Sequence, residues 1–122
     1  MKKHSQRAQR VGDQIQKELA DLLRNEVKDP RVGPVTVTHV EVSADLSHAT
    51  VQVTHLAGRE HADEAIHALQ RTAGFLRSQL AHRLDLYSVP QLHFAYDDSI
   101  EAGMKLAQLI DDAVAADRKL AE

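Results

Sequence analysis

The stretch from Glu60 to Leu84 most restricts the fold, because it holds two helical patterns separated by a poor helix former. Apolar residues recur at helical spacing in two sets: Ala62, Ala65, Ile66, Leu69 and Ala73, and then Leu76, Leu80 and Leu84. Gly74 lies between the sets, and a glycine inside a helix costs about 1 kcal/mol relative to alanine. We therefore predict two helices that meet at a kink formed by Thr72, Ala73 and Gly74.

Three arginines lie on the outward positions around this kink. They are Arg71, Arg77 and Arg83, and the next acidic residue along the chain is Asp85. A helix–bend–helix that carries arginines at its joint indicates that something is bound there. The alternative is a solvated helix face, and these residues alone leave both interpretations open.

The rest of the chain supplies one helix before this stretch and three strands around it. Residues 5–27 form an amphipathic pattern that ends before Asp29-Pro30, because a residue preceding proline is disfavoured in the α region. Alternation and β-branched residues predict strands over 35–42, 49–56 and 92–96, and Asp98 to Glu101 has the spacing of a capping box that opens a last helix.

The first predicted strand has a fault in its alternation. Val35 and Val37 share one face, whereas Val40 and Val42 share the other. One extra residue restores the buried face of both pairs, so we predict a β-bulge near Thr38-His39. The hairpin loop that follows spans residues 43–47.

The resulting order, α-β-β-α-α-β-α, predicts one α+β domain over residues 1–122. The helical connection between the second and third strands allows a mixed three-stranded sheet with helices on one face. We expect short flexible ends at about residues 1–5 and 116–122.

Composition indicates an intracellular protein with a polarised charge. The chain has no cysteine, no apolar run of the roughly 20 residues that span a bilayer, and no apolar segment behind its basic N-terminus. We expect a cytoplasmic protein that does not interact with membranes. Residues 1–31 contain eight basic and five acidic residues, whereas residues 32–122 contain seven and thirteen. Such a chain can place a cationic patch on an anionic partner.

Several classes of active site lack their residues. The five glycines, at positions 12, 33, 58, 74 and 103, form none of the glycine motifs that cradle phosphates, and no nucleophilic serine motif or cysteine is present. We predict no enzyme activity, no cofactor and no metal site. A metal-dependent hydrolase that uses the eight histidines with Asp97 and Asp98 is a weaker alternative, in which His39 and His55 face each other across the hairpin.

The few aromatic residues do not indicate base stacking. We place Phe75, Phe94 and Tyr96 in the core and leave Tyr87 as a candidate for exposure. Phosphate contact by arginine and lysine is then the better hypothesis for any nucleic-acid binding.

Short motifs follow one another in a characteristic order along the chain. They are Arg10-Val11, residues 26–33 (EVKDPRVG), residues 40–43 with Asp45-Leu46, Leu69-Gln70, residues 74–80 (GFLRSQL), residues 89–92 and residues 96–99. Through these motifs the chain resembles the ribosome-binding factor A family over nearly its full length. Each is a weak motif alone, but their order and spacing together are specific.

The resemblance implies a type-II KH-like fold, α-β-β-α-α-β, with an additional C-terminal helix. It also implies that an Ala-x-Gly kink replaces the nucleotide-clamping glycine loop of other KH domains; here Thr72 stands at the first alanine and Gly74 is kept. The resemblance further implies binding to the maturing 30S ribosomal subunit through 16S rRNA, a role in rRNA processing and growth at low temperature, and release by an assembly GTPase.

We predict that the protein binds folded rRNA by shape and charge and has no catalysis of its own. The candidate RNA-binding residues are Lys2, Lys3, Arg7, Arg10, Lys28, Arg31, Arg71, Arg77 and Arg83. We expect a monomer whose acidic last segment faces away from RNA or contacts a basic ribosomal protein. The alternative is a generic RNA-binding or protein–protein interaction module.

Overall fold

The residues that the structure describes fold into four helices and a three-stranded sheet, in the predicted order. The structure, a computed structural model, describes residues 6–86 and 88–121. The elements are α1 (Gln6–Asn25), β1 (Val35–Val42), β2 (His48–His55), α2 (Arg59–Arg71), α3 (Ala73–Arg83), β3 (Gln91–Tyr96) and α4 (Ser99–Ala121).

The sheet is mixed, as predicted, with strand order β1-β2-β3. β1 pairs with β2 antiparallel and β2 with β3 parallel. The register between β1 and β2 shifts between Val37 and His39, so Thr38 is the extra residue and the predicted bulge is confirmed. Val37 and Val40 are both buried as a result.

The core lies between one face of the sheet and three of the helices. α1 packs on β1 and α3, α2 packs on β2 and β3, and α3 packs on β3. α1 contributes Ile15, Leu19 and Leu22, all of which are fully buried. The two central helices contribute Leu69, Leu76, Leu80 and several alanines, and these side chains match the helical patterns read from the sequence.

Helix α1 approaches β1 unusually closely at Gly12. A Cβ atom at this position would lie 2.8 Å from the carbonyl oxygen of Val40, a distance that real Cβ atoms essentially never show. The absence of a side chain at Gly12 therefore sets the distance between the first helix and the first strand.

The bulge residue Thr38 is held by contacts to three other elements. Its hydroxyl lies 2.6 Å from Oδ2 of Asp97 and 3.2 Å from the carbonyl oxygen of Gln52, and its own carbonyl accepts a hydrogen bond from Nε2 of Gln16. Asp97 follows β3, so this contact ties the first strand to the end of the last one. The bulge is thus a fixed part of the fold.

Helix α4 contributes no buried side chain to this core. Every residue from Ser99 to Leu120 is exposed, including Ile110 at 55% and Met104 at 68%. The flexible ends expected at residues 1–5 lie outside the described residues, and the structure continues α4 to Ala121. Flexibility from residue 116 onward stays a prediction.

Two aromatic residues differ from their expected core positions. Phe75 is 44% exposed, because it lies on the outer side of α3. Tyr96 is half-buried, and its hydroxyl bonds to the carboxylate of Glu101. Phe94 is buried as expected, and Tyr87 lies outside the described residues.

Candidate nucleic-acid interface

The structure places two of the predicted cationic residues at the start of α1. Arg7 and Arg10 are exposed on its first turns. Lys2 and Lys3, which were predicted to extend the same patch, lie outside the described residues. The N-terminal patch is therefore represented in the structure by the two arginines.

A second group forms where the chain leaves α1. Arg31 binds Asp29 through two hydrogen bonds, from Nε to Oδ1 and from Nη2 to Oδ2, each of 3.0 Å. The Arg31 side chain, then its backbone N–H, hold the pKa of Asp29 below its usual range, and the positive charge of Arg71 adds to this effect. The charge of Arg71 at the end of α2 thus acts on the carboxylate that Arg31 binds. Lys28 is exposed nearby in sequence.

The guanidinium of Arg77 binds the protein backbone. Its Nη2 donates to the carbonyl oxygen of Val89 at 2.9 Å, and its Nε donates to that of Pro90 at 3.2 Å. The side chain is half-buried between α3 and the segment that enters β3. Arg77 therefore fixes the start of the last strand.

Arg83 binds two carboxylates of α1. Its Nη1 lies 2.6 Å from Oδ2 of Asp21 and 3.1 Å from Oε1 of Glu18, and its side chain is 27% exposed. The hydrogen bond from Arg83 lowers the pKa of Asp21, and the bond to Asp21 raises the pKa of Arg83. The sequence did not indicate these two partners, because they lie 62 and 65 residues away along the chain.

The two central helices meet at Thr72, within the predicted kink. The Thr72 backbone (φ −90°, ψ −1°) ends α2, and its hydroxyl donates to the carbonyl oxygen of Ala68 at 2.8 Å. Gly74 lies inside α3; the positive-φ glycines of the described chain are Gly33 and Gly58, and a Cβ at Gly74 would meet no atom within 4 Å. The break therefore occurs at Thr72 and does not require glycine at position 74.

The sequence reasoning missed two cations on α1. Lys17 and Arg24 are exposed, and each lies seven residues beyond the previous cation in the series that begins at Arg10. Seven residues make nearly two helical turns, so all three side chains lie on one side of α1. The seven-residue spacing could have indicated from the sequence that Lys17 and Arg24 belong with Arg10.

The histidines do not form the arrangement that the hydrolase alternative needed. His55 pairs with Val35 and His39 with Gln52, so the expectation that the two histidines face each other is wrong. His48 and His93 meet instead, with Nδ1 and Nε2 2.9 Å apart. Across residues 6–86 and 88–121, no three histidine or acidic side chains are grouped so that they could hold a metal ion. Nor does any helix in these residues have the length and apolar content needed to cross a membrane.

Known proteins match the chain over most of its length. A sequence model of the family described as Ribosome-binding factor A matches residues 7–110. Ribosome-binding factor A of Nitrosospira multiformis is 56% identical over 118 residues, which cover 97% of this chain and 94% of that protein. The protein of the same name from Thioalkalivibrio sulfidiphilus is 56% identical over 112 residues, covering 92% and 87%.

Solved structures agree with these matches. The crystal structure of ribosome-binding factor A from Thermus thermophilus has a TM-score of 0.64 at 29% identity and covers 73% of this chain and 94% of that one. A homology model of the Thermus thermophilus protein, fitted into a cryo-EM map of a 30S–RbfA complex, has a TM-score of 0.60 at 30% identity, covering 71% and 91%. With its KH-like α-β-β-α-α-β core and a C-terminal helix, this chain belongs to the ribosome-binding factor A family.

Proposed function

We propose that this protein is a small-subunit assembly factor that binds the maturing 30S subunit through 16S rRNA, in the cytoplasm. In this role it assists late maturation and rRNA processing, including at low temperature, and an assembly GTPase releases it. The observation that carries the proposal is the family match over residues 7–110, together with the Thermus relative fitted into a map of a 30S–RbfA complex. The chain supplies a shaped, charged surface and no catalytic group of its own.

The distribution of charge supports binding through phosphates. The described cations of the proposed interface lie at the start of α1, at its exit and at the end of α2. Arginine suits phosphate, because its planar fork donates to two oxygens at once. Residues 97–122 contain seven acidic and three basic residues, so this segment faces away from RNA or contacts a basic ribosomal protein.

The arginines of the proposed interface differ in how far they are available. Arg77 and Arg83 already bind carbonyl oxygens and carboxylates. Arg71 is exposed, and its positive charge contributes to the lowered pKa of Asp29, the partner of Arg31. Among the kink arginines, Arg71 is therefore expected to carry the largest effect on binding.

The testing experiment is co-sedimentation of the purified protein with 30S subunits and with 70S ribosomes at about 50 and about 200 mM salt. With about five to seven phosphate contacts, affinity for 30S falls by about 10²- to 10⁴-fold over this range. We expect binding to 30S and none to 70S, and weaker binding for Arg71→Gln but not for the control Arg118→Gln on α4. Equal binding to both particles reduces the proposal to a generic RNA-binding domain, and binding to neither contradicts it.

A protein–protein interaction module is the second candidate, and one observation favours it. Apolar side chains of α4 are exposed, and Ile100, Met104 and Ile110 are each more than half exposed. Exposed apolar patches of this kind mark contact sites for other macromolecules. Ribonuclease treatment separates the two candidates, because a complex bridged by protein survives digestion of the RNA.

A further inference from the structure

Helix α1 carries a straight row of cations opposite its buried face. The buried side consists of Ile15, Leu19 and Leu22, and the row consists of Arg10, Lys17 and Arg24 on the far side, all exposed. At 1.5 Å rise per residue, neighbouring members of the row lie about 10 Å apart along the helix axis. The row therefore extends for about 21 Å on a rigid element that is packed into the core.

The acidic residues of α1 would weaken this row if they were free. Glu18 and Asp21 both bind Arg83, which reaches them from the end of α3. Asp21 also lies 3.7 Å from Nη2 of Arg24. Asp13, the remaining acid on this helix, lies three residues after Arg10 and four before Lys17, on the same side as the row. The single charge of Arg83 offsets one of the two negative charges of Glu18 and Asp21. The four cations of α1 together with Arg83 therefore outnumber the three acids of the helix by two, and the row retains a positive potential.

We propose that Arg10, Lys17 and Arg24 form a phosphate-contact row for double-helical RNA. Arg83 is a positioning residue whose charge offsets part of the negative charge of Glu18 and Asp21. This inference rests on the proposed function and specifies its ligand. It assigns binding to Lys17 and Arg24, and it gives Arg83 an indirect role.

The rigidity of the row points to a duplex as its ligand. A fixed set of charges binds a fixed set of phosphates without the cost of ordering a flexible strand. Recognition of single strands relies on aromatic side chains that stack with bases, and α1 has no aromatic residue. Duplex RNA is bound mainly by shape and by phosphate and sugar contacts, which this row can make.

The first test measures binding of the full chain to 30S subunits and to an RNA hairpin of about 16 base pairs, with an unpaired strand of the same length as comparison. Lys17→Gln and Arg24→Gln are made singly and together. Lys105→Gln and Arg118→Gln on α4 are the matched controls, since they remove the same charges from exposed helical positions. Titration at several salt concentrations gives the slope of log affinity against log salt.

We expect each substitution in the row to reduce that slope by about 0.7–0.9, and the double variant by about 1.4–1.8, for both the subunit and the hairpin. The controls keep the slope of the unmodified protein. If the unmodified protein binds 30S while the row variants match the controls, this inference is overturned and the proposed function stands. If the unmodified protein binds neither probe, both fail. Tighter binding to the unpaired strand than to the hairpin overturns the choice of a duplex.

The second test separates the role of Arg83 from direct contact. Arg83→Gln frees two carboxylates beside the row, so affinity falls at every salt concentration while the slope is unchanged, because no phosphate contact is lost. A slope reduced as much as in Lys17→Gln would show that Arg83 itself contacts phosphate. Circular dichroism and thermal unfolding establish that the variant is folded. Should Arg83→Gln fail to fold, Asp21→Asn gives the complementary readout, with higher affinity and an unchanged slope.

Discussion

The side-chain amide of Gln70 on α2 forms hydrogen bonds with the backbone of β3 at Leu92 and Phe94, as the backbone of a neighbouring strand would. Its Oε1 accepts the backbone N–H of Phe94 at 3.1 Å, and its Nε2 donates to the carbonyl oxygen of Leu92 at 2.9 Å. Seven residues later Arg77 binds the carbonyl oxygens of Val89 and Pro90. Both residues belong to the motifs that carry the family resemblance, and the structure gives them the role of holding the outer edge of the last strand.

Replacing Gln70 by alanine leaves a backbone N–H and a carbonyl of β3 without their side-chain partner. We expect Gln70→Ala to lower the free energy of unfolding by about 1–3 kcal/mol, the cost of unsatisfied polar groups that are partly buried. Urea denaturation measures the change. Gln108→Ala on α4, which removes an exposed side chain of the same type, should change stability by no more than about 0.5 kcal/mol.

A methyl group at Gly12 should force α1 away from β1. The added Cβ would lie 2.8 Å from the carbonyl oxygen of Val40, which is backbone and has little freedom to move. We expect Gly12→Ala to destabilise the fold by about 1–3 kcal/mol, as other overpacking substitutions do.

Gly74→Ala is the matched control for that prediction. The position is helical and open, so alanine should raise stability by about 0.5–1 kcal/mol through its higher helix propensity. Thermal unfolding of both variants is sufficient. Destabilisation by Gly74→Ala would instead show that the kink depends on glycine, as the family pattern implied.

The bond between Thr38 and Asp97 should make stability depend on acid pH. The hydrogen bond from Thr38, and then those from Ser99, hold the pKa of Asp97 below its usual value. A lowered folded-state pKa stabilises the fold above the unfolded value of about 3.9, and this contribution is lost as pH falls through the folded pKa. Asp97→Asn should therefore lower the melting temperature at neutral pH, with a difference that shrinks below about pH 4. Asp63→Asn, at an exposed position of α2, should change the melting temperature little at either pH.

Removal of α4 should leave the rest of the domain folded. Its side chains from Ser99 to Leu120 are all exposed, so a chain that ends at Ala102 loses no buried apolar surface and keeps Glu101 for Tyr96. We expect the free energy of unfolding to change by about 0.5 kcal/mol or less. Phe94→Ala, which opens the core under β3, should cost about 3–5 kcal/mol in the same assay. A large loss on truncation would contradict the exposed placement of α4.

Local patterns predicted the elements, since each depends on residues close in sequence. The break in apolar alternation between Val37 and Val40 located the bulge, and the two apolar series located the central helices. The partners of the arginines were not predictable in this way. Arg83 meets Asp21 only after α1 and α3 pack together, and its outward position in the helical pattern had indicated a free cation.

Burial of single side chains was the other quantity that local patterns misjudged. Phe75 follows the apolar rule for a core residue, yet the first turn of α3 directs it outward. Apolar residues likewise recur along α4, yet none of those from Ile100 to Leu120 is buried. In both cases local patterns do not show whether another element of the fold packs against the apolar side chains.

The contact between Thr38 and Asp97 spans 59 residues, and this has a consequence for synthesis of the chain. The first hairpin leaves the translating ribosome early, but the bond from Thr38 to Asp97 and the pairing of β2 with β3 form only when β3 and Asp97 have emerged. Because non-local contacts of this kind form late, the domain should fold in a single step near the end of translation. Until then the nascent hairpin presents an unpaired strand edge, which makes it a natural client for chaperones.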